Sequence, residues 1–217
     1  GEVVTQPIPT TGSCSVSVDG ALVTLTGNKK GPGFKDGSIG VMTGNAQGVP
    51  CSRIDSNETL TLRLNTGPAV AAELDLELKG DVQLALVLDN GETYTVRSGS
   101  KVVNGQGVDG VAGDPYRLSL DSDHKLGNCR FQSDSGPDSG PNDNCRVVIH
   151  PDTPFSSIQF KPSSGEVSLE GGSDYASSDG KYDTLFYFQG WDGELDCGDT
   201  TGPRQDGSVV GEIIRHD

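Results

Sequence analysis

The sequence predicts an all-β protein, a two-sheet antiparallel β-sandwich of the jelly-roll type. Three segments carry this prediction, because leucine or valine recurs in each at every second position. They are residues 59–65, 73–79 and 82–88. A period of two is typical of strands with one buried face, whereas a helix would spread these leucines around its surface.

Turn-forming residues supply the second observation. The chain contains 31 Gly and 12 Pro, and no segment is suited to a long amphipathic helix. Asn90-Gly91 separates 82–88 from a strand at 92–97, and both residues accept the positive φ of a tight hairpin. Further short strands are predicted at 15–18, 21–26, 38–42, 116–120, 146–150, 156–161, 165–170, 184–190 and 208–215. About a dozen short strands between turns indicate a sandwich.

The domain organisation follows from the first residues. Residues 1–12 are rich in Thr and contain Pro7 and Pro9, which favour an extended linker. Residues 13–217 then form a single β-sandwich domain. A linker of this kind is typical of a module within a larger, multidomain extracellular chain.

The charge excludes two classes of partner. There are 16 basic and 31 acidic residues, a formal net charge of −15. Nucleic acid and anionic membrane both demand a basic surface, so neither is expected as a partner. No apolar run is long enough to span a bilayer, so membrane insertion is not expected.

The five cysteines predict disulfides rather than a zinc site, because none forms a CxxC pair and histidine is scarce. Cys129 and Cys145 bracket an acidic, Gly/Pro-rich loop and are the favoured pair, with Cys14–Cys51 second. Cys197 is left over, either free or paired to another chain. Disulfides predict an extracellular or cell-surface protein. A cytosolic protein with five buried thiols is the alternative.

Two acidic loops suggest calcium as a cofactor. Each offers several hard oxygen ligands in a short, glycine-containing stretch, the donor type that calcium prefers. The candidate ligands are Asp134, Asp138 and Asp143 in the first loop and Asp192, Asp196 and Asp199 in the second. The second loop is not an EF-hand, because it lacks the bidentate Glu and the flanking helices. Solvated carboxylates that simply point apart are the alternative for both loops.

Aromatic residues near the C-terminus suggest a sugar-binding surface. The strand Phe186-Tyr187-Phe188 places its phenylalanines on one face and Tyr187 on the other. Aromatic faces suit the stacking of pyranose rings. The candidate ligand-binding residues are Tyr175, Tyr182, Tyr187 and Trp191. The alternative is that Trp191, the only tryptophan, caps the end of the strand.

Signals for an enzyme are weak. There is no GxSxG nucleophile elbow, and no local context pairs a Ser, a His and an Asp. Paired carboxylates can serve a glycosidase, and a jelly roll can carry one. However, the acids of this chain fall in turns and on polar strand faces, so a non-catalytic role is favoured.

Two stretches resemble a known group of domains. Residues 36–64 contain Gly-Ser-Ile-Gly-Val-Met followed by Arg-Ile-Asp-Ser-Asn-Glu-Thr-Leu-Thr-Leu, and residues 154–172 contain Pro-Phe-Ser-Ser-Ile-Gln-Phe followed by Val-Ser-Leu-Glu-Gly-Gly. These strands resemble jelly-roll-like β-sandwich domains of bacterial secreted or cell-surface-anchored, adhesin-type proteins. The resemblance implies an extracellular adhesive module, often with calcium, and it transfers no catalytic residue.

Together these observations predict an extracellular, non-catalytic binding or adhesion module, directed at carbohydrate and stabilised by calcium. Its expected partner is a glycan or another surface protein. A structural spacer domain of a large surface protein is the first alternative, and a glycan-acting hydrolase is the second. A sugar-binding module predicts an exposed Tyr or Trp beside a groove. A spacer predicts termini at opposite ends of the sandwich, and a hydrolase predicts two carboxyl groups facing each other at about 5–9.5 Å.

Overall fold

The computed structural model describes residues 1–8, 17–29, 31–35, 37–42, 52–101, 116–131, 143–177, 182–190 and 207–216. These residues form fourteen strands and contain no helix, so the all-β prediction is confirmed for them. The strands are β1 (Glu2–Pro7), β2 (Ser17–Val18), β3 (Val23–Gly27), β4 (Pro32–Lys35), β5 (Ser38–Val41), β6 (Leu60–Leu64), β7 (Ala69–Leu88), β8 (Thr93–Lys101), β9 (Tyr116–Asp121), β10 (Leu126–Phe131), β11 (Asp143–His150), β12 (Ser157–Ala176), β13 (Tyr182–Gly190) and β14 (Gly207–Arg215). Within this part of the chain, no helix could span a membrane.

The fourteen strands belong to one connected, mostly antiparallel sheet, in which only the pairs β8–β10 and β9–β11 are parallel. Its central strands, β7 and β12, have 20 residues each and pair along most of their length. Where residues 83–88 pair with 158–164, the sheet continues through β8 and β10 on one side and through β6, β3 and β2 on the other. We call this the first half of the sheet.

The second half lies where residues 69–79 of β7 pair with the C-terminal half of β12. Here the sheet continues through β11 and β9 beyond β7, and through β13, β14 and β1 beyond β12. The hairpin of β4 and β5 joins the same edge of β12, where Ile39 pairs with Leu169. The second half therefore presents seven strands side by side, from β1 to β9.

The two halves meet at a bulged corner in β7 and β12. Gly80 and Gly165 adopt positive φ angles of 80° and 71°, and the register of the pairing shifts on both sides of Ser164. A Cβ atom on Gly165 would lie 2.6 Å from a methyl carbon of Val82, so only glycine fits there. Bulges bend the strands that carry them, and these two occur at the same place in both strands.

One hydrophobic core serves both halves. The inward residues of β7 include Leu74, Leu76 and Leu78 from the second half and Val82 and Leu84 from the first, and all are buried in the same cluster. Their alternation with exposed or half-buried residues confirms the period of two that predicted a strand here. On the outward face of the second half, on the other side of the sheet, some side chains are exposed to solvent, among them Tyr175, Leu185 and Tyr187.

Three sequence predictions need correction. Residues 1–12 are not simply a linker, because Glu2–Pro7 forms β1 and pairs with β14. The strands predicted at 73–79 and 82–88 are one strand, since the glycine between them makes a bulge and not a chain reversal. The strands predicted at 156–161 and 165–170 are likewise joined in β12. Strands β4 and β10 were not predicted, because neither shows a clear alternation.

Candidate functional site

Most residues of the predicted calcium loops lie outside the described residues. They are Asp134, Asp138, Asp192, Asp196 and Asp199. Asp143 is the first residue of β11 and pairs with Leu78 of β7. Cys14, Cys51, Cys197 and Trp191 also lie outside the described part of the chain. Among the residues that are described, no group of three or more His, Cys, Asp or Glu side chains could hold a metal ion.

The disulfide that the sequence favoured is present between Cys129 and Cys145, whose Cα atoms are 6.0 Å apart. Both residues are buried, with 1% of their surface exposed. Cys129 lies in β10, which pairs with β8 of the first half, and Cys145 lies in β11, which pairs with β7 in the second half. The bond therefore ties the two halves of the sheet together, in addition to the continuous strands that they share.

Two of the predicted sugar-binding tyrosines lie on the outward face of the second half. Tyr187 of β13 pairs with Gly171 of β12, and Leu185 pairs with Ser173. Tyr175 follows two residues after Ser173 along β12, so its side chain projects from the same face. Leu185 is 48% exposed, Tyr187 47% and Tyr175 44%. We call Tyr175, Leu185 and Tyr187 the tyrosine face.

The apolar surface extends beyond these three residues. On β14, Glu212 pairs with Leu185 and Ile214 with Asp183, and on β1, Val3 pairs with Glu212. Val3 and Ile214 are also exposed and share the outward side. Exposed tyrosine and aliphatic side chains therefore occur on four neighbouring strands of this side, with Glu212 and Asp183 between them.

Tyr182 is not part of this face. It is the first residue of β13 and pairs with Arg215. By alternation it shares the side of Thr184 and Phe186, both of which are buried in the interior.

A pocket of about 240 Å³ opens next to the tyrosine face, between β12, β7 and β11. It is lined by Asp75, Leu76, Asn144, Cys145, Arg146 and Glu170. We call it the acidic pocket. Gly171 connects it to the tyrosine face, because Gly171 pairs with Tyr187 on one side and with Asp75 on the other.

Gly171 is required by the close approach of β13. A Cβ atom there would lie 2.7 Å from the carbonyl oxygen of Phe186 and 3.2 Å from the Cα of Tyr187. Gly171 therefore leaves a gap in the row of side chains along β12, with the strand of Tyr187 on one side and that of Asp75 on the other.

Glu170 is the bulged residue beside this gap, since the register with β7 shifts between Leu169 and Gly171. Burial, a hydrogen bond with Glu77 and the negative charges of Glu77 and Asp75 raise the pKa of Glu170 to about 8. A hydrogen bond with Ser38 acts in the opposite direction. At neutral pH, Glu170 therefore carries a proton and can donate it in a hydrogen bond to Glu77.

Arginines on the neighbouring strands are held by acids of the same face. The Nε atom of Arg146 lies 3.0 Å from Oδ1 of Asp75 and 3.4 Å from Oε1 of Glu73. Arg117, on β9, places an Nη atom 2.9 Å from the same oxygen of Glu73. These ion pairs fix Asp75 and Arg146 at the pocket wall.

Another perturbed acid, Asp174, belongs to the interior and not to this face. It accepts a hydrogen bond of 2.6 Å from the backbone N–H of Thr184 and one of 3.3 Å from the hydroxyl of Thr66. Burial raises the pKa of Asp174 to about 6, although these hydrogen bonds oppose the shift. Asp174 therefore fastens β12 to β13 beneath the tyrosine face.

Sequence reasoning placed Tyr175 and Tyr187 among the candidates but missed Asp75, Glu77 and Glu170, which it assigned to polar strand faces. The available signal was Glu170-Gly171, a glycine beside an acid in the middle of a strand, which is typical of a bulge. Comparisons with known proteins add no further information, because no protein-family model, curated protein or solved structure matches this chain.

Proposed function

We propose that this chain is a non-catalytic carbohydrate-binding module of an extracellular or cell-surface protein. The observation that carries the proposal is the tyrosine face. Tyr175, Leu185 and Tyr187 lie together on one open face of the sheet, each close to half exposed. Rigid aromatic rings that project from a sheet can stack against the apolar faces of pyranose rings with little loss of side-chain freedom.

The acidic pocket supplies the second element that a sugar site needs. Stacking alone does not fix the orientation of a ring, so hydroxyl groups must be recognised by polar side chains close to the aromatic surface. Asp75, Asn144 and Glu170 line the pocket, and Asp75 is one strand away from Gly171, the partner of Tyr187. A chain of sugars that stacks on Tyr187 therefore reaches these groups with its hydroxyls.

The spacer alternative receives less support. Glu2 pairs with Ile213, and the ladder of β1 and β14 continues to Pro7 and Ser208. Residues 2 and 213 are therefore neighbours, whereas a domain that spaces others along a line is expected to hold these segments at opposite ends. The exposed tyrosines also have no role in a spacer.

The remaining parts of the proposal concern the setting of the domain. The bent sheet, with one core between its halves, supports a two-sheet sandwich of the jelly-roll type. The buried disulfide is compatible with an extracellular location. Calcium bound by the two acidic loops would stabilise those loops without taking part in sugar stacking, and adhesion to a glycan-bearing surface would follow from the binding itself.

A glycan array with the wild-type domain and two variants tests the proposal. Tyr187→Ala and Tyr175→Ala should each weaken binding of the recognised glycans at least about tenfold, since a desolvated aromatic contact contributes about 1.4 kcal/mol or more. Tyr182→Ala is the matched control, because it removes the same side chain from the other face of β13. We expect it to bind as the wild type does.

Two results would contradict the proposal. Absence of binding to any glycan on the array would remove its basis, and so would binding that is insensitive to Tyr175 and Tyr187. Release of reducing ends from a bound glycan would instead favour the hydrolase alternative.

A further inference from the structure

We propose that the ligand of the tyrosine face is a polysaccharide without carboxylate or sulfate groups, which the domain distinguishes from acidic glycans by charge. This inference rests on the proposed function and adds the class of glycan. Its basis is the set of charged side chains that surround Tyr175, Leu185 and Tyr187 on the outward side of the sheet.

Among the described residues, acidic side chains outnumber basic ones on this side. Alternation along the paired strands brings to it the carboxyl groups of Glu73, Asp75, Glu77, Glu166, Glu170, Asp183 and Glu212. The cationic side chains that the same alternation places there are Arg117, Arg146 and Lys79, and His216 and Arg53 lie beside Asp183 and Glu166. This surplus is part of the net charge of −15 of the whole chain, so an anionic ligand is repelled both at a distance and on contact.

The two arginines that could attract an acidic sugar are engaged with carboxylates. Recognition of a carboxylate or sulfate by arginine uses its planar set of N–H donors. Arg146 directs its Nε to Asp75 and Glu73, and Arg117 directs an Nη to Glu73. An acidic glycan that used these guanidinium groups would have to approach the carboxylates of Glu73 and Asp75 that are already paired with them.

The carboxyl groups in and beside the acidic pocket repel one another. Glu170 lies beside Glu77 and Asp75 and retains its proton at neutral pH. A further anion placed there meets the same repulsion that keeps Glu170 protonated. Sugar hydroxyls, in contrast, can donate to Asp75 and accept from the amide of Asn144, so neutral sugars match these groups.

Affinity electrophoresis at low ionic strength tests the inference. The gels contain either a neutral polysaccharide (hydroxyethylcellulose, xylan or galactomannan) or an acidic one (alginate, polygalacturonate or dextran sulfate). We expect at least one neutral polysaccharide to retard the wild type, with retardation reduced at least tenfold in Tyr187→Ala. We expect no acidic polysaccharide to retard it.

A variant with one carboxylate removed tests the charge selection separately from the stacking of sugars on the tyrosines. Glu73→Gln removes the carboxylate shared by Arg117 and Arg146, and should produce measurable retardation by acidic polysaccharides that the wild type lacks. Glu92→Gln, which removes the partner of Lys125 in the first half of the sheet, is the matched control and should not.

The outcomes separate the two proposals. Retardation of the wild type by an acidic polysaccharide, lost in Tyr187→Ala, would overturn the charge selection while supporting a sugar-binding face. Equal behaviour of Glu73→Gln and the wild type on acidic polysaccharides would also overturn it. Retardation by no polysaccharide at all would overturn the carbohydrate function itself.

Discussion

Replacing Glu58 by Gln should make the stability of the domain less dependent on pH. Glu58 lies in the turn before β6 and is only 5% exposed. One carboxyl oxygen accepts a hydrogen bond of 2.9 Å from the backbone N–H of Asp55. The other, Oε2, is buried and has no hydrogen-bond partner within the described residues. Burial, opposed by that hydrogen bond and assisted by the charge of Asp55, raises the pKa of Glu58 to about 7.

The sign of the effect follows from this raised pKa. An unfolded Glu58 loses its proton near its ordinary pKa of 4.5, while the folded protein keeps it until about 7. As the pH rises between these values, ionisation stabilises only the unfolded chain, so the free energy of unfolding falls. A shift of this size corresponds to about 2.5 kcal/mol between about pH 5 and pH 8, which we reduce to about 2 kcal/mol because water screens charges near a surface turn.

Urea denaturation of the oxidised protein at these two pH values measures the effect. The free energy of unfolding of Glu58→Gln, relative to wild type, should rise by about 2 kcal/mol from about pH 5 to about pH 8. Glutamine keeps an oxygen for the N–H of Asp55, and the titration of Glu170 and Asp174 is common to both proteins and cancels.

Glu92→Gln is the matched control for this measurement. Burial opposes ionisation of Glu92, but hydrogen bonds from Ser122 and Asn90 and the charge of Lys125 outweigh it and lower its pKa. Its contribution therefore changes only below the ordinary Glu pKa, and its difference from wild type should be the same at both pH values. An equally constant difference for Glu58→Gln would refute the reasoning.

Three further expectations concern the disulfide, the gap and the metal. The double variant Cys129→Ala/Cys145→Ala opens a loop with a sequence separation of 16 and should lower the free energy of unfolding in urea by about 3 kcal/mol; a loss below about 1 kcal/mol would contradict the structural role. Gly171→Ala should lower the free energy of unfolding by about 1–3 kcal/mol in the same assay, because its Cβ would meet the Phe186 carbonyl. Ser173→Ala, the control on the same strand, should change the free energy of unfolding little. Added calcium should raise the melting temperature and a chelator should lower it; identical melting temperatures, with no calcium found by elemental analysis, would argue against the ion.

Local patterns were enough to predict the strands that line the core. Alternation alone predicts the inward leucines of β6 and β7 and the opposite faces of Phe186 and Tyr187. Successive side chains of a strand point to opposite faces, so the apolar set must face the core when one face is buried. The tight turn at Asn90-Gly91 was also predicted, and the positive φ of Gly91 agrees with it.

Features that depend on the register between strands could not be predicted from the sequence. A glycine in a strand can mark either a chain reversal or a bulge, and Gly80 and Gly165 are bulges, which made two long strands read as four short ones. The proximity of Glu170 to Glu77 and Asp75 depends on the register of β12 against β7. No local pattern gives that register, since many alignments of two alternating strands bury the same faces.

The bulge at Glu170 accounts for the position of the whole candidate site. At Leu169 the free edge of β12 pairs with β5, and from Gly171 onward it pairs with β13. Between them the register with β7 slips by one residue, and such a bulge turns two consecutive residues toward the same face. One of the two is Glu170, whose carboxyl group enters the acidic pocket. The other is Gly171, whose missing side chain lets β13 approach and brings Tyr187 beside that pocket. The aromatic surface and the hydrogen-bonding groups are therefore adjacent for a single structural reason. A substitution that removes the bulge should move Tyr187 and Glu170 apart, so that one ligand could no longer contact both.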